Sequence, residues 1–135
     1  MSSNPKHIGP GYWCNWHSTS LIANDEEKKS VVAKAIVMAI KVFPCVDPCR
    51  KDFINYIKKN PLLPAVKNEN DSLSLFKWTV DAHNYVNKKL GKRVLNWEEA
   101  KNAWEGGEGM CFENCGVSES EIDRSEEVNI IIRDY

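Results

Sequence analysis

The sequence lacks a long apolar run. Its longest, Val31 to Phe43, carries Lys34 and Lys41 and is too short and too charged to span a bilayer. A hydrophobic segment is also missing from the first ten residues, MSSNPKHIGP, so no cleaved secretory signal is expected. Net charge is nearly absent, −1 over 135 residues, which argues against a uniformly basic nucleic-acid binder. Strand patterns are scarce as well. Only Val128 to Ile132, Val-Asn-Ile-Ile-Ile, reads as a short strand or docking segment. Apolar residues, by contrast, make up 42% of the chain, which excludes wholesale disorder and suffices for the core of one domain.

Cysteine carries more information. Four of the five form two pairs of equal spacing, Cys45-Val-Asp-Pro-Cys49 and Cys111-Phe-Glu-Asn-Cys115, and Cys14 is left over. Without a secretory signal, such pairs point to redox chemistry or metal binding rather than to a secreted disulfide scaffold. The two pairs together also spell a four-cysteine zinc site, which stays open as an alternative. Pro48 disfavours α conformation at Asp47, so a helix is expected to begin there with Cys49 in its first turn. A helix N-terminus, with Arg50 and Lys51 beside it, favours the thiolate that performs disulfide exchange, although Asp47 opposes them. The plainer reading is two buried structural cysteines. Cys14 reads as a small buried hydrophobe.

Charge divides the chain. Residues 1–104 hold 16 Lys and Arg against 10 Asp and Glu, whereas residues 105–135 hold 2 against 9. The junction, Glu105-Gly-Gly-Glu-Gly109, is glycine-rich. A basic folded domain over 1–104 and a looser acidic tail over 105–135 are expected.

The body reads as all-α, four helices forming a bundle plus a short fifth. An aromatic-rich first helix is expected from Gly9 to about Ile22. The second, Asp25 to Phe43, opens on acidic residues and shows an apolar face with Val32, Ile36, Ala39 and Ile40. The third runs from Asp47 and Pro48 to about Lys59, and Pro61 and Pro64 mark a loop. Asp71 caps a fourth helix that ends at Gly91, a natural C′ residue. Asn96 and Glu99 resemble a capping box for a fifth, through Trp104.

Two helical faces stand out. On the fourth helix Phe76, Val80, His83, Asn87 and Leu90 share one face, which starts apolar and turns polar, with Asn84 about 100° to its side. A polar ligand entering an apolar bundle fits that pattern, as does a satisfied polar patch at a bundle end. On the first helix Tyr12, Trp13, Trp16 and His17 either build core or stack on a flat ring system.

Read in order, these residues resemble the FAD-linked sulfhydryl oxidases of the Erv/ALR family over residues 8–105. The opening family motif, Trp-Gly-x-x-x-Trp-x-x-Leu-His, has its counterpart in Ile8-Gly9-Pro10-Gly11-Tyr12-Trp13-Cys14-Asn15-Trp16-His17. The family's Pro-Cys-x-x-Cys followed by Phe corresponds to Pro44, Cys45, Cys49 and Phe53, here with three intervening residues instead of two. The third motif, His-Asn-x-Val-Asn-x-x-Leu-x-Lys, is matched without a break by His83-Asn84-Tyr85-Val86-Asn87-Lys88-Lys89-Leu90-Gly91-Lys92. Ile8 and Trp16 replace the usual Trp and Leu. Trp97 stands where many cellular members carry a structural cysteine, and in this the chain looks more like forms encoded by large cytoplasmic DNA viruses.

The resemblance implies a thiol oxidase that passes electrons from dithiols through Cys45 and Cys49 to FAD and then to O2, giving H2O2. It implies FAD contacts from Gly9, Tyr12, Trp13, His17 and Phe53, and from His83, Asn84, Val86, Asn87, Leu90 and Lys92, with Trp97 closing the site. Cys111 and Cys115 are expected to shuttle electrons from the tail, or else to pin it as a static disulfide. The implied partners are a thiol-containing protein or a thioredoxin-like relay protein, O2 and a second copy of the chain, with no nucleic acid and no membrane span. The implied location is the cytoplasm of an infected cell or the virion for a viral form, and the mitochondrial intermembrane space for a cellular one.

Overall fold

The computed structural model describes residues 5–43 and 49–105, with side chains from Gly9 onward. Six helices follow one another: α1 (Pro5–Ile22), α2 (Glu26–Val42), α3 (Cys49–Lys59), α4 (Leu63–Lys67), α5 (Ser74–Lys89) and α6 (Trp97–Glu105). The described residues contain no strand, and no helix among them is long and apolar enough to cross a membrane. The all-α reading therefore holds. The acidic tail, with the segment Val128 to Ile132, lies outside the described residues. The chain divides into two compact units, Met1–Thr79 and Val80–Tyr135, and the division falls inside α5.

In the first unit α2 contacts both α1 and α4. Asp25 caps α2, its side chain accepting from the Lys28 amide at 2.8 Å, and Glu26 and Glu27 follow in the first turn, as the charge pattern implies. The buried line of α2 is Lys29, Ala33, Ile36 and Ile40, while Val32 and Ala39 flank it half-buried. Complete burial of Ile36 alone contributes about 1.5–3 kcal/mol. Trp16, Leu62, Val66, Leu75, Phe76 and Trp78 complete this core.

Lys29 runs against the apolar pattern. It is 2% exposed, and its ammonium donates to the carbonyls of Asn68 at 2.9 Å and Asp71 at 2.7 Å. A buried charge is tolerated only when so satisfied. The bonds tie α2 to the turn that leads into α5. There the Asp71 carboxylate accepts from the Leu73 amide at 2.9 Å and from Lys77 at 2.7 Å, and the Lys77 hydrogen bond is the main cause that holds its carboxyl below the usual range.

Three boundaries differ from the sequence expectation. The first helix starts at Pro5, not Gly9: Pro fits the first helical position, and the helix continues through Pro10 although that residue has no N–H to donate. The Pro61–Pro64 loop holds a short helix, α4, in which Pro64 occupies the first turn, where a missing N–H costs nothing. Asp71 forms a side-chain turn ahead of α5, and the helix itself opens at Ser74.

In the second unit Val80, Ala82, Leu95, Ala100 and Ala103 are buried. The end of α5 is built as expected. Gly91 has φ +69, the Lys92 amide reaches the Asn87 carbonyl at 2.8 Å and the Gly91 amide that of Lys88 at 3.3 Å. This is a Schellman closure, which needs a residue without Cβ at that place. The capping box before α6 is also reciprocal: the Glu99 amide donates to Asn96 Oδ1 at 2.8 Å and the Asn96 amide to Glu99 Oε1 at 3.1 Å. α6 ends at Glu105, one residue past the expected domain boundary.

Candidate functional site

In the first unit the helical spacing of α1 stacks Tyr12 under Trp16 and Trp13 under His17. Ring centroids lie 5.8 Å apart for Tyr12–Trp16, 5.1 Å for Trp13–Trp16 and 5.9 Å for Trp13–His17, the last nearly parallel at 21°. Trp13 meets Phe53 of α3 edge-on at 6.0 Å, Phe53 stacks on Tyr56 at 6.0 Å, and Tyr56 meets Trp78 of α5 at 6.2 Å. Tyr12 meets Phe43 at 5.2 Å. The rings thus run continuously from α1 through α3 to α5. Trp16 is core, whereas Tyr12, Trp13 and Phe53 are half-buried and keep ring surface accessible.

Phe43 and Tyr56 belong to this run and are not singled out by the sequence reading. The signal available for Tyr56 was its position three residues after Phe53 on α3. Beside the start of this surface, a Cβ placed on the half-buried Gly9 meets none of the described residues within 4 Å.

His17 is fully buried beneath these rings. Its Nδ1 lies 3.0 Å from Thr79 Oγ1, and Phe76 packs edge-on against it at 6.0 Å. Burial pushes its pKa down to about 3, so the imidazole is neutral at ordinary pH. His17 therefore supports Trp13 from inside the core.

Cys49 is the first residue of α3 and is exposed. The next residue, Arg50, reaches back from α3 and donates from Nη2 to the Phe43 carbonyl, which ties the start of α3 to the end of α2. Arg50 Nε is buried with no hydrogen-bond partner among the described residues. Cys45, with Asp47 and Pro48, lies outside the described residues. So do Cys111 and Cys115, and with them both the shuttle pair and the zinc alternative. Cys14 is half-buried on α1.

In the second unit the polar motif on α5 is mostly turned to the following loop. Asn84 Oδ1 accepts from the Leu95 amide at 3.0 Å, and Asn84 Nδ2 donates to the Leu95 carbonyl. Asn87 Nδ2 donates to the Arg93 carbonyl at 2.9 Å. Two side-chain amides thus replace the backbone partners that residues 93–95 lack. His83 and Asn87 are buried and Val86 is half-buried. The loop so held presents Leu90, Lys92, Arg93 and Val94 to solvent, next to the exposed Lys88 and Lys89. The Lys89 ammonium sits 4.7 Å above the Tyr85 ring. Trp97 donates from Nε1 to Asp81 at 2.7 Å, which fixes its plane while leaving the ring 47% exposed.

Half-buried aromatic faces suit an apolar ring system, and exposed ammonium groups at a helix end suit phosphate oxygens.

Comparison with known proteins gives the same direction. The model of the Erv1 / Alr family matches residues 10–105. An FAD-linked sulfhydryl oxidase of African swine fever virus is 33% identical over 102 residues, covering 73% of this chain and 81% of that protein. A probable FAD-linked sulfhydryl oxidase of Acanthamoeba polyphaga mimivirus is 39% identical over 64 residues, covering 47% of this chain and 43% of that protein. The mitochondrial FAD-linked sulfhydryl oxidase of Saccharomyces cerevisiae is 29% identical over 107 residues, covering 74% and 53%. No solved structure matches the chain. The matched span begins at the aromatic turn of α1 and ends with α6, and the chain belongs to the Erv1/Alr family.

Proposed function

We propose that this chain is an FAD-linked thiol oxidase that makes disulfides in protein substrates. The observation that carries the reading is an exposed cysteine at the N-terminus of α3, one turn before Phe53, whose ring belongs to the accessible aromatic surface. Family membership supports it independently.

In this reading a substrate thiolate attacks the Cys45–Cys49 disulfide. A mixed disulfide forms, a second substrate thiol displaces the enzyme sulfur, and Cys45 and Cys49 are left as thiols. Two electrons and two protons have moved from substrate to enzyme. Bound FAD supplies the acceptor that takes the two electrons from the dithiol and delivers them to O2, giving H2O2. Cys49 opens α3, and Arg50 holds that start against the end of α2. Gly9, Tyr12, Trp13 and Phe53 provide the apolar face for the cofactor. The family resemblance assigns Leu90, Lys92 and Trp97 to the cofactor as well, with Asn84 and Asn87 shaping the loop that carries Leu90 and Lys92. His17, Val86 and His83 support these groups from the interior.

Cys111 and Cys115 relay electrons from a protein thiol or a thioredoxin-like partner to the proximal pair. A homodimer is part of the reading. Val31, Ala35, Met38 and Val42 form an exposed stripe along α2 at spacings of a helix seam, which suits a second copy. The location in this reading is the cytoplasm of an infected cell or the virion for a viral form, or the intermembrane space for a cellular one; relatives of both a virus and a mitochondrion are found.

The test is a spectrum and an oxygen electrode. The purified protein is expected to be yellow and to consume O2 with dithiothreitol. Cys49→Ser is expected to stay yellow and to lose at least about 100-fold in turnover, as when a nucleophile is removed. A colourless protein, or oxygen consumption unchanged in the mutant, overturns the reading.

A further inference from the structure

Lys29 is a buried cation that neither presents a ring nor exchanges thiols. It is 2% exposed, so its stem and its ammonium both lie inside the first unit. The Nζ atom donates to the Asn68 carbonyl at 2.9 Å and to the Asp71 carbonyl at 2.7 Å. Asn68 is the C-cap of α4, and the Asp71 carbonyl also accepts at 3.2 Å from the amide of Ser74, the first residue of α5. The ammonium therefore sits where one helix ends and the next begins.

The turn around it has supports of its own. Asn68 Oδ1 accepts from the Asn70 amide at 3.1 Å, Asp71 Oδ1 from the Leu73 amide at 2.9 Å, and Ser74 Oγ donates to the Ala65 carbonyl. These bonds fix the turn and leave two carbonyl oxygens aimed at one point. Oxygens so aimed repel each other unless a donor or a cation stands between them. Negative charge is also near: the Asp71 carboxyl is held below its usual range, mainly by the Lys77 hydrogen bond and in smaller part by the charge of Lys29. The turn in turn sets the start of α5, where Phe76 packs edge-on against His17, Trp78 meets Tyr56, and Thr79 Oγ1 lies 3.0 Å from His17 Nδ1. That stretch of α5 backs the ring surface.

We propose that the 68–71 turn is a niche for a primary alkylammonium, filled in this chain by its own Lys29, and that Lys29 is thereby a positioning residue for the part of α5 behind the ring surface. Two carbonyls within hydrogen-bond distance of one atom suit a group with a positive charge and several N–H donors. A hydroxyl has one proton and serves only one of the two. Charge and multiple donation define the niche, not the volume of the lysine stem. The effect on flavin rests on the thiol-oxidase reading, whereas the niche does not.

The experiment is chemical rescue. Lys29→Ala removes Cγ, Cδ, Cε and Nζ, the heavy atoms of n-propylammonium. Thermal midpoint and flavin retention are measured with propylammonium chloride, sodium chloride or n-propanol, each up to about 50 mM, a range in which a weak ligand of the folded state shifts the midpoint. The variant is expected to melt earlier and to hold flavin about tenfold more weakly, the effect of one buried hydrogen bond to a charged group. Propylammonium should raise the midpoint with concentration and recover at least half of the lost retention, while sodium chloride and n-propanol do neither. Wild type, whose niche is filled, should not respond to the amine, nor should Ile36→Val, a truncation of a fully buried residue on the same helix. Rescue by propanol equal to that by the amine makes the site an apolar void and overturns the proposal, as does an amine without effect. Where Lys29→Ala yields no folded protein, Lys29→Met decides, since it keeps the stem and loses charge and donors. Amide exchange over residues 72–79 should then rise at least about tenfold. Exchange equal to that of wild type overturns the proposal. A wild-type protein that binds no FAD defeats the oxidase reading alone, because the midpoints and the exchange still decide the niche.

Discussion

The two units of this chain use their motif residues in opposite ways. In Met1–Thr79 the motif side chains face one another: Tyr12, Trp13, Trp16, His17 and Phe53 make one run of rings, and the accessible surface is the run itself. In Val80–Tyr135 the motif side chains face the backbone, since Asn84 and Asn87 hold Leu95 and Arg93, and the accessible surface belongs to neighbours they position. A sequence motif therefore names two kinds of residue, those that present a surface and those that build the loop presenting it. Mutation separates the two kinds.

The largest effect is expected from the first kind where it is also core. Trp16→Ala removes a ring that is 6% exposed and touches both Tyr12 and Trp13, and should cost about 3–5 kcal/mol. Trp13→Ala removes a half-buried ring and should cost less stability while losing more flavin. Urea midpoints and flavin absorbance of the two mutants check the order. Equal ratios of the two losses would break the distinction between core and surface within the ring run.

The second kind comes next. Asn84→Ala leaves the Leu95 amide and carbonyl without their side-chain partner, at a cost of about 1–3 kcal/mol. Because the loop and not a direct contact is lost, flavin retention should fall in step with the order of residues 90–96, read by amide hydrogen exchange. Retention that falls with the loop's exchange unchanged would make Asn84 a contact residue and remove the contrast between the units.

How much of this is legible in the sequence depends on distance along the chain. The Gly91 closure, the Asp25 cap and the Asn96–Glu99 box need only residues within a turn of one another, and each is where local chemistry puts it. The α1 aromatics are legible as a cluster, but not the order in which Phe43, Phe53 and Tyr56 join it. Lys29 was not legible at all. A lysine on an inner helical face contradicts the apolar pattern, and the carbonyls that satisfy it belong to Asn68 and Asp71, 39 and 42 residues away. Thr79 is hidden for the same reason, since its partner His17 is 62 residues away and a threonine in a helix carries no signal of its own.

Buried His17 makes the ring run sensitive to pH. Its folded pKa is about 3 against 6.5 for the unfolded chain, so above pH 6.5 neither state is protonated there and the contribution is complete. Between 6.5 and about 3 only the unfolded chain gains the proton. Stability therefore falls with falling pH, by up to about 1.4 kcal/mol per unit. Asp71 acts in the same direction below its ordinary value of 3.8, because Lys77 stabilises its charged form. Urea midpoints at pH 7.5, 5.5 and 4.5 should decline in wild type and decline less in His17→Gln. Parallel declines in the two proteins would assign the pH dependence to groups outside the ring run.

The smallest effect sharpens the comparison at the edge of the ring surface. Gly9 lies inside α1, takes no positive φ, and has open space where a Cβ would sit. Nothing among the described residues requires glycine there. Gly9→Ala should stabilise the flavin-free protein by up to about 1 kcal/mol, through the backbone entropy alanine does not lose. If the open space belongs to the cofactor, the same methyl group should weaken flavin retention. The two effects have opposite signs, so a simple packing defect cannot imitate them. A melting temperature that rises equally with and without flavin would place Gly9 outside the binding surface, and the surface would then begin at Tyr12.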